Sequence, residues 1–233
     1  MQNAPLDPAK ARLLEAILNH VAFEGWSQTA YAAAVAETGL NADHARTLCP
    51  RGAVDLAIAF HQQGDRMMRD AVMAADLRQM RYSEKVAFAI RARIAAVSDK
   101  EAVRRGTALF ALPHMAADGA KLVWGTADAI WEVLGDTSDD FNWYSKRVTL
   151  SAVWTAVVMF WLGDDSSGGQ ATDAFIDRRI DNVMQLEKFK AQVNSNPLLK
   201  PITAPLLGLL SKIKAPTRIP RVDLPGSWTA PRQ

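Results

Sequence analysis

Apolar residues recur every three to four positions through almost the whole of this 233-residue chain. That period is the mark of one buried face on a helix, whereas a half-buried strand repeats every two residues. No run of β-branched residues alternates with polar ones, and no Asn-Gly pair offers a tight hairpin turn. The pattern predicts an all-α protein. At 49% hydrophobic and 22% charged residues the chain can fill a sizeable core, and its composition is that of a globular protein rather than a disordered one.

Start and stop signals divide the pattern into helices. Asp7-Pro8 supplies an N-cap and a proline at the first helical position, Leu13, Leu14, Ile17, Leu18 and Val21 follow at helical spacing, and Gly25 ends the run. Ser27 caps a second, alanine-rich helix that extends to about Thr38. Gly39 closes it, Asn41 caps a third helix to about Leu48, and Pro50-Arg51-Gly52 turns into a longer helix from about Ala53 to Met73. Helix, glycine turn, short helix, glycine turn, short helix is the layout of a helix-turn-helix unit. Its spacing is close to that of the TetR repressors, with Gly25-Trp26 and Gly39-Leu40 at the turns. Such a layout speaks for a fold more than for a function. Further helices are predicted from Ser83 to about Ala96, from Lys100 to Leu112, from Gly119 to Leu134, onward to about Leu162, and from Ala171 to Gln192. The chain is expected to divide into a helix-turn-helix-like unit at 1–66, a helical bundle at 67–192 and a proline-punctuated segment at 193–233.

Several function classes drop out. His20, His44, His61 and His114 fall on four different segments, and neither an H-E-x-x-H nor a Cys-x-x-Cys pattern occurs, so no metal site is expected. Asp139-Asp140 and Asp164-Asp165 are adjacent pairs that point about 100° apart on a helix and do not converge on one atom; they read as helix-start and loop charges. No catalytic constellation, P-loop or dinucleotide fingerprint is present, so the chain is read as a non-enzyme without a cofactor. A single cysteine, Cys49, permits no internal disulfide, which fits a reducing compartment. The net charge of +2 gives no field for nucleic acid. The third helix offers only His44, Arg46 and Thr47 to DNA, beside a repelling Asp43, and the second helix holds no cation. DNA binding is therefore disfavoured, and a TetR-type regulator sensing an apolar ligand is the alternative function. The most apolar run, Val148 to Gly163, is about sixteen residues, short of the roughly twenty that span a bilayer. The opening MQNAPLDPAK lacks the basic and apolar regions of a secretory signal.

The stretch GDTSDDFNWYSKR, residues 135–147, is unusual: acids, then three aromatics within four positions, then two cations. On one helix Trp143 and Arg147 share a face, Tyr144 lies about 100° round, and Phe141 points away. Together with HVAFEGWSQTAYAAAV and FIDRRIDNVM, in that order, this block resembles the COQ9 family of ubiquinone-biosynthesis proteins, over roughly residues 10–190. The block after Pro113, His114 to Ala120, is looser than the family pattern, and Trp154 and Trp161 are heavier than usual. The resemblance implies a TetR-like all-α bundle whose DNA-binding role is lost. It further implies a cavity for isoprenoid lipid, a homodimer, and delivery of quinone precursors to the di-iron hydroxylase of the pathway. It makes Trp143, Tyr144 and Arg147 a partner-docking patch; interface hot spots are enriched in those residue types. The alternative is that the two rings are core residues with polar tips at the surface.

Beyond the patch, Val148, Ala152, Thr155 and Met159 form one stripe, and Leu150, Val153, Trp154, Val157 and Trp161 another. A helix apolar all round is buried on both sides. By the resemblance, Trp124, Trp131, Val153, Trp154, Val157 and Trp161 line the lipid cavity; on periodicity alone they read as plain core. Arg178-Arg179 are expected to pair along their own helix with Asp177 and Asp181. In Ile202 to Lys214, Leu206, Leu209, Leu210 and Ile213 fall on one face edged by Lys212 and Lys214. That suits an interfacial membrane helix or, alternatively, one folded back on the body. The expectation is a cytoplasmic protein peripherally associated with the inner membrane.

Overall fold

The computed structural model describes residues 6–97, 99–195 and 215, with helical backbone alone given for 186–195. Among the described residues there are nine α-helices and no strand: α1 (Pro8–Glu24), α2 (Gln28–Thr38), α3 (Ala42–Leu48), α4 (Ala53–Ala74), α5 (Tyr82–Ala95), α6 (Lys100–Phe110), α7 (Ala116–Val133), α8 (Phe141–Leu162) and α9 (Gln170–Ser195). The caps read from the sequence are made. Asp7 accepts from the amides of Ala9 and Lys10, Ser27 from Ala30, Asn41 from Asp43 and His44, and Asp140 from Asn142. Each satisfies an amide that has no partner inside its helix, typically worth about 1 kcal/mol. Gly39 stops α2 at φ 62°, ψ 16°, the left-handed conformation in which a Cβ is strained.

The helices enclose two separate hydrophobic cores. The first holds Leu13, Ile17 and Val21 of α1, Ala30 and Ala34 of α2, Ala45 of α3, and Ala53 to Ala59 of α4, with Ala102 of α6 beside them. The second holds Met68 and Val72 of α4, Val86 and Ile90 of α5, Ile130 of α7, Val153 and Val157 of α8, and Ile176 of α9. A single continuous helix, α4, serves both. The 66/67 boundary expected between units falls inside it, in the stretch where one core has ended and the other has yet to begin. No helix among the described residues is long and apolar enough to cross a membrane.

The arginine pair of α9 departs from expectation. Asp177 does not pair along its own helix; Arg91 of α5 reaches across to Asp173 at 2.9 Å and to Asp177 at 2.7 Å, and so ties α5 to α9. Arg178 and Arg179 instead stand 5.8 and 5.0 Å from the Phe175 ring centroid. Packing across helices won over the i, i+4 register because Arg91 meets both carboxylates at once. Leu206, Leu209, Leu210 and Ile213 lie outside the described residues. Ala215 is placed: its amide donates to the carbonyl of Asp139, just before α8, at 2.8 Å.

Candidate functional site: a seam cavity and an aromatic cluster

Between the two cores lies a cavity of about 760 Å³, within the range of ligand-holding pockets. Its walls come from α1, α4, α5, α6, α7 and α8, and most of its lining is apolar: Leu14, Leu18, Phe60, Ile94, Val123 and Val158 are representative. Trp26 shows it the carbon face of an indole whose Nε1 is already spent on the Ala102 carbonyl at 3.0 Å. The polar stretch of α4 between the cores also reaches it, through His61, Gly64 and, opposite, Arg93 of α5.

These residues belong to a tight polar network. Arg93 Nε donates to Asp65 Oδ1 at 2.7 Å and Nη2 to the His61 carbonyl at 2.9 Å. The Arg93 guanidinium sits 5.3 Å from the Trp154 ring centroid. Thr126 Oγ1 lies 2.8 Å from Asp65 Oδ1 and 2.8 Å from His61 Nε2. Asp65, Arg93 and Thr126 are buried. Burial pulls the His61 pKa down to about 4; the Asp65 carboxylate opposes this, the Arg93 charge reinforces it and the Leu122 carbonyl opposes it again, with desolvation dominant. His61 is therefore a neutral imidazole at neutral pH. Gly64 is required for the arrangement, since a Cβ there would stand 2.3 Å from Arg93 Nη1.

The second feature lies at the start of α8. Trp143 packs at 4.8 Å, edge-on, against Tyr144 and at 5.9 Å against Trp124. Both Trp143 and Tyr144 are half-buried. Arg147 is not at the surface: it is 0% exposed, lies 3.9 Å beneath the Trp143 ring centroid and donates to Asp128 at 2.6 Å and Asp136 at 3.3 Å. It supports the rings from below and cannot itself touch a docked partner. Lys146 completes the pairing, 2.7 Å from Asp136. Burial alone would raise the Asp136 pKa; hydrogen bonds from Lys146, Ser138 and Arg147, with the Lys146 charge, bring it below the ordinary value.

Of the six residues expected to line a lipid cavity, Trp154 and Trp161 stand on the wall of this cavity. The other four are used elsewhere. Trp124 joins the Trp143 cluster, Trp131 lies 5.9 Å from the Tyr82 ring with Lys146 over it, and Val153 and Val157 fill the second core. The stripe of Val148, Ala152, Thr155 and Met159 is exposed, with Thr155 and Met159 also reaching the cavity wall. Sequence reasoning missed His61, Gly64, Asp65, Arg93 and Thr126. A signal was present: His61, Gly64 and Asp65 lie at i, i+3 and i+4, the spacing of one helical face. Among the described residues no group of three His, Cys, Asp or Glu is placed to hold a metal ion.

Residues 116–187, which span α7, α8 and most of α9, match the COQ9 family model. Over these residues the chain is similar to the COQ9 proteins. It is 28% identical over 216 residues to the probable mitochondrial ubiquinone biosynthesis protein coq9 of Dictyostelium discoideum, covering 88% of this chain and 67% of that one. The mitochondrial ubiquinone biosynthesis protein COQ9 of Drosophila melanogaster is 27% identical, and that of Homo sapiens 26%, over 82% and 79% of this chain. The chain spans only 60% of the length of each of those two relatives. In architecture it is similar to a TetR transcriptional regulator from Nitrosomonas europaea, with a TM-score of 0.63 over 75% of this chain and 97% of the regulator. At 18% identity that likeness establishes the fold alone. The COQ9 match takes in the Trp143 cluster and stops short of the α4 and α5 residues of the polar network.

Proposed function

We propose that this chain is a lipid-binding accessory protein of ubiquinone biosynthesis, which holds an isoprenoid quinone precursor and presents it to a hydroxylase without catalysing a step itself. The observation that carries the reading is the apolar cavity between the two cores, in a chain whose relatives are named ubiquinone biosynthesis proteins. Trp143 and Tyr144 are the partner-docking surface in this reading, held in place by Arg147. The protein acts as a homodimer, and the amphipathic segment through Leu206, Leu209, Leu210 and Ile213 brings it to the membrane surface from the cytoplasmic side.

The rival, a ligand-sensing repressor, shares fold and cavity. It is weakened by α3, whose one arginine, Arg46, is paired with Asp43 on the same turn. Mass spectrometry of an organic extract of the purified protein is the test. A stoichiometric isoprenoid quinone or precursor is expected. Bulk phospholipid alone would remove the pathway assignment, and an empty extract from folded protein would remove the lipid-binding one.

A further inference from the structure

Helix α8 carries an outer face that neither core uses. Tyr144, Val148, Ala152, Thr155 and Met159 recur every three or four positions and so share one side of the helix. Val148 is 58% exposed and Met159 57%, and Ala152 and Thr155 are exposed as well. The Thr155 hydroxyl is turned back onto the Ser151 carbonyl at 2.9 Å. From Val148 to Leu162 the sequence holds no charged residue. The outer face of a surface helix is ordinarily charged or polar. A bare apolar stripe of about three turns is the kind of surface that a partner covers.

The cover is identified by where the chain next touches α8. Helix α9 folds back along α8, with Phe175 stacked on Phe160 at 4.3 Å, and its 26 residues make it longer than the 22 of α8. Its last residue, Ser195, is thereby carried toward the end where α8 begins. At that same end the Ala215 amide donates to the Asp139 carbonyl at 2.8 Å. Residues 196–214 therefore leave from, and return to, the start of α8, and they contain Leu206, Leu209, Leu210 and Ile213. Counted back from the Ala215 anchor, charge and apolarity come in the matching order. Lys214 and Lys212 are one and three positions away, and the anchor itself rests on Asp139, next to Asp140, both exposed acids. The leucines come further back, where α8 is uncharged. As a helix, Leu206 to Ile213 would span about 10 Å, against about 12 Å from Tyr144 to Ala152. The six residues 196–201 reach up to about 20 Å, enough to carry the chain out along α8 before it turns back.

We infer that this α8 face is the docking surface of the chain's own segment 202–214, laid antiparallel to α8 from the Ala215 anchor with its leucines on Val148 and Ala152. The segment has one apolar face, so α8 and a lipid surface compete for it. The docking itself does not depend on what the cavity holds; its release at a membrane rests on the membrane-contact reading above. Tyr144 belongs to the same face. The docked segment therefore shields it in solution, and contact with a membrane frees it, which ties partner docking to the membrane surface.

The test is the rate at which a water-soluble maleimide labels Val148→Cys in the full chain; Cys49, 1% exposed, does not compete. Asp165→Cys, in the exposed stretch between α8 and α9, gives the rate for an open site. Val148→Cys is expected to react at least about tenfold more slowly than that site, as for a position open no more than about a tenth of the time. Adding Leu209→Asp with Leu210→Asp, or adding vesicles of phosphatidylcholine and phosphatidylserine, should raise it to the open rate. Equal rates at the two sites without vesicles would overturn the docking. So would slow labelling that persists with both aspartates in place, and slowing that deepens with protein concentration would put a second copy on this face instead. Release by the aspartates but not by vesicles would leave the docking standing and overturn the competition with a membrane.

Discussion

Gly64→Ala is the sharpest physical test of the polar network. In the interior of an ordinary exposed helix, glycine to alanine gains about 1 kcal/mol. At position 64 the added Cβ would stand 2.3 Å from Arg93 Nη1 and 2.5 Å from its Cζ. The tip of a surface arginine would swing aside at little cost. This one is held by Asp65 at 2.7 Å and the His61 carbonyl at 2.9 Å, over the Trp154 ring, with 4% of its side chain exposed. Displacing it breaks a buried ion pair, which costs about 3–5 kcal/mol when one partner is left unmatched. Set against the helix gain, the net loss is about 2–4 kcal/mol, which for a chain of this size lowers the melting temperature by about 5–15 °C. Gly106→Ala is the control. It too sits within a helix on the cavity wall, but its Cβ would meet Trp26 Nε1 at 3.5 Å, an ordinary contact. It should melt at or slightly above wild type by circular dichroism. If Gly64→Ala melts as high as Gly106→Ala, Arg93 is not clamped against α4 and the network described here is wrong.

Four further outcomes follow from other parts of the structure. His61 has a folded pKa of about 4 against an ordinary 6.5, so the unfolded chain binds the extra proton first; stability is full above about pH 6.5 and falls by about 3 kcal/mol on the way to pH 4. Denaturant unfolding across that range should be less steep in pH for His61→Phe than for wild type, and an unchanged slope would contradict the buried neutral ring. Arg147→Met leaves Asp128 and Asp136 without their shared cation and should cost about 3–5 kcal/mol in chemical denaturation; a loss below about 1 kcal/mol would mean the arginine is not supporting the cluster. Trp143→Ala with Tyr144→Ala should weaken capture of the hydroxylase at least about tenfold, with melting temperature as the control for folding, and intact capture would remove the patch. Deleting residues 201–214 should abolish sedimentation with anionic liposomes; unchanged sedimentation would remove the membrane-contact segment.

How much of this was legible beforehand depends on whether the signal was local. Helix ends were readable because a cap is a short-range event: Asp7, Ser27, Asn41 and Asp140 each bond amides two or three residues away. The fold class followed from the hydrophobic period for the same reason. What failed was the choice between faces of helices apolar all round. Trp124, Trp131, Val153 and Val157 carry the same chemistry as Trp154 and Trp161, and only the three-dimensional packing decides which of them meets the cavity. Arg147 was read as a surface contact because a cation beside Trp-Tyr suits an interface. Its partners, Asp128 and Asp136, lie 19 and 11 residues upstream on another helix and its loop. The Asp65–Arg93 pair spans 28 residues and the Asp65–Thr126 bond 61, so the polar network could not be assembled from spacing, even though its α4 members sit within one turn.

The N-terminal helix-turn-helix-like unit also takes part in building the cavity. Reading a groove needs cations that are free to meet phosphate. On α3 Arg46 is engaged by Asp43, and on the following turn Arg51 is engaged by Asp55 at 2.9 Å and by Asp118 of α7 at 2.8 Å. The second of these bonds ties the unit to the bundle. Meanwhile α1 gives Leu14 and Leu18 to the cavity wall, and Trp26, at the turn between α1 and α2, closes it against Phe60 at 5.7 Å. The cavity has no complete wall without this unit, and α4 makes the unit and the bundle share one helix. The glycine turns that suggest a repressor thus also serve packing: they fold α1 back so that its inner face finishes a chamber whose floor is the polar stretch of α4.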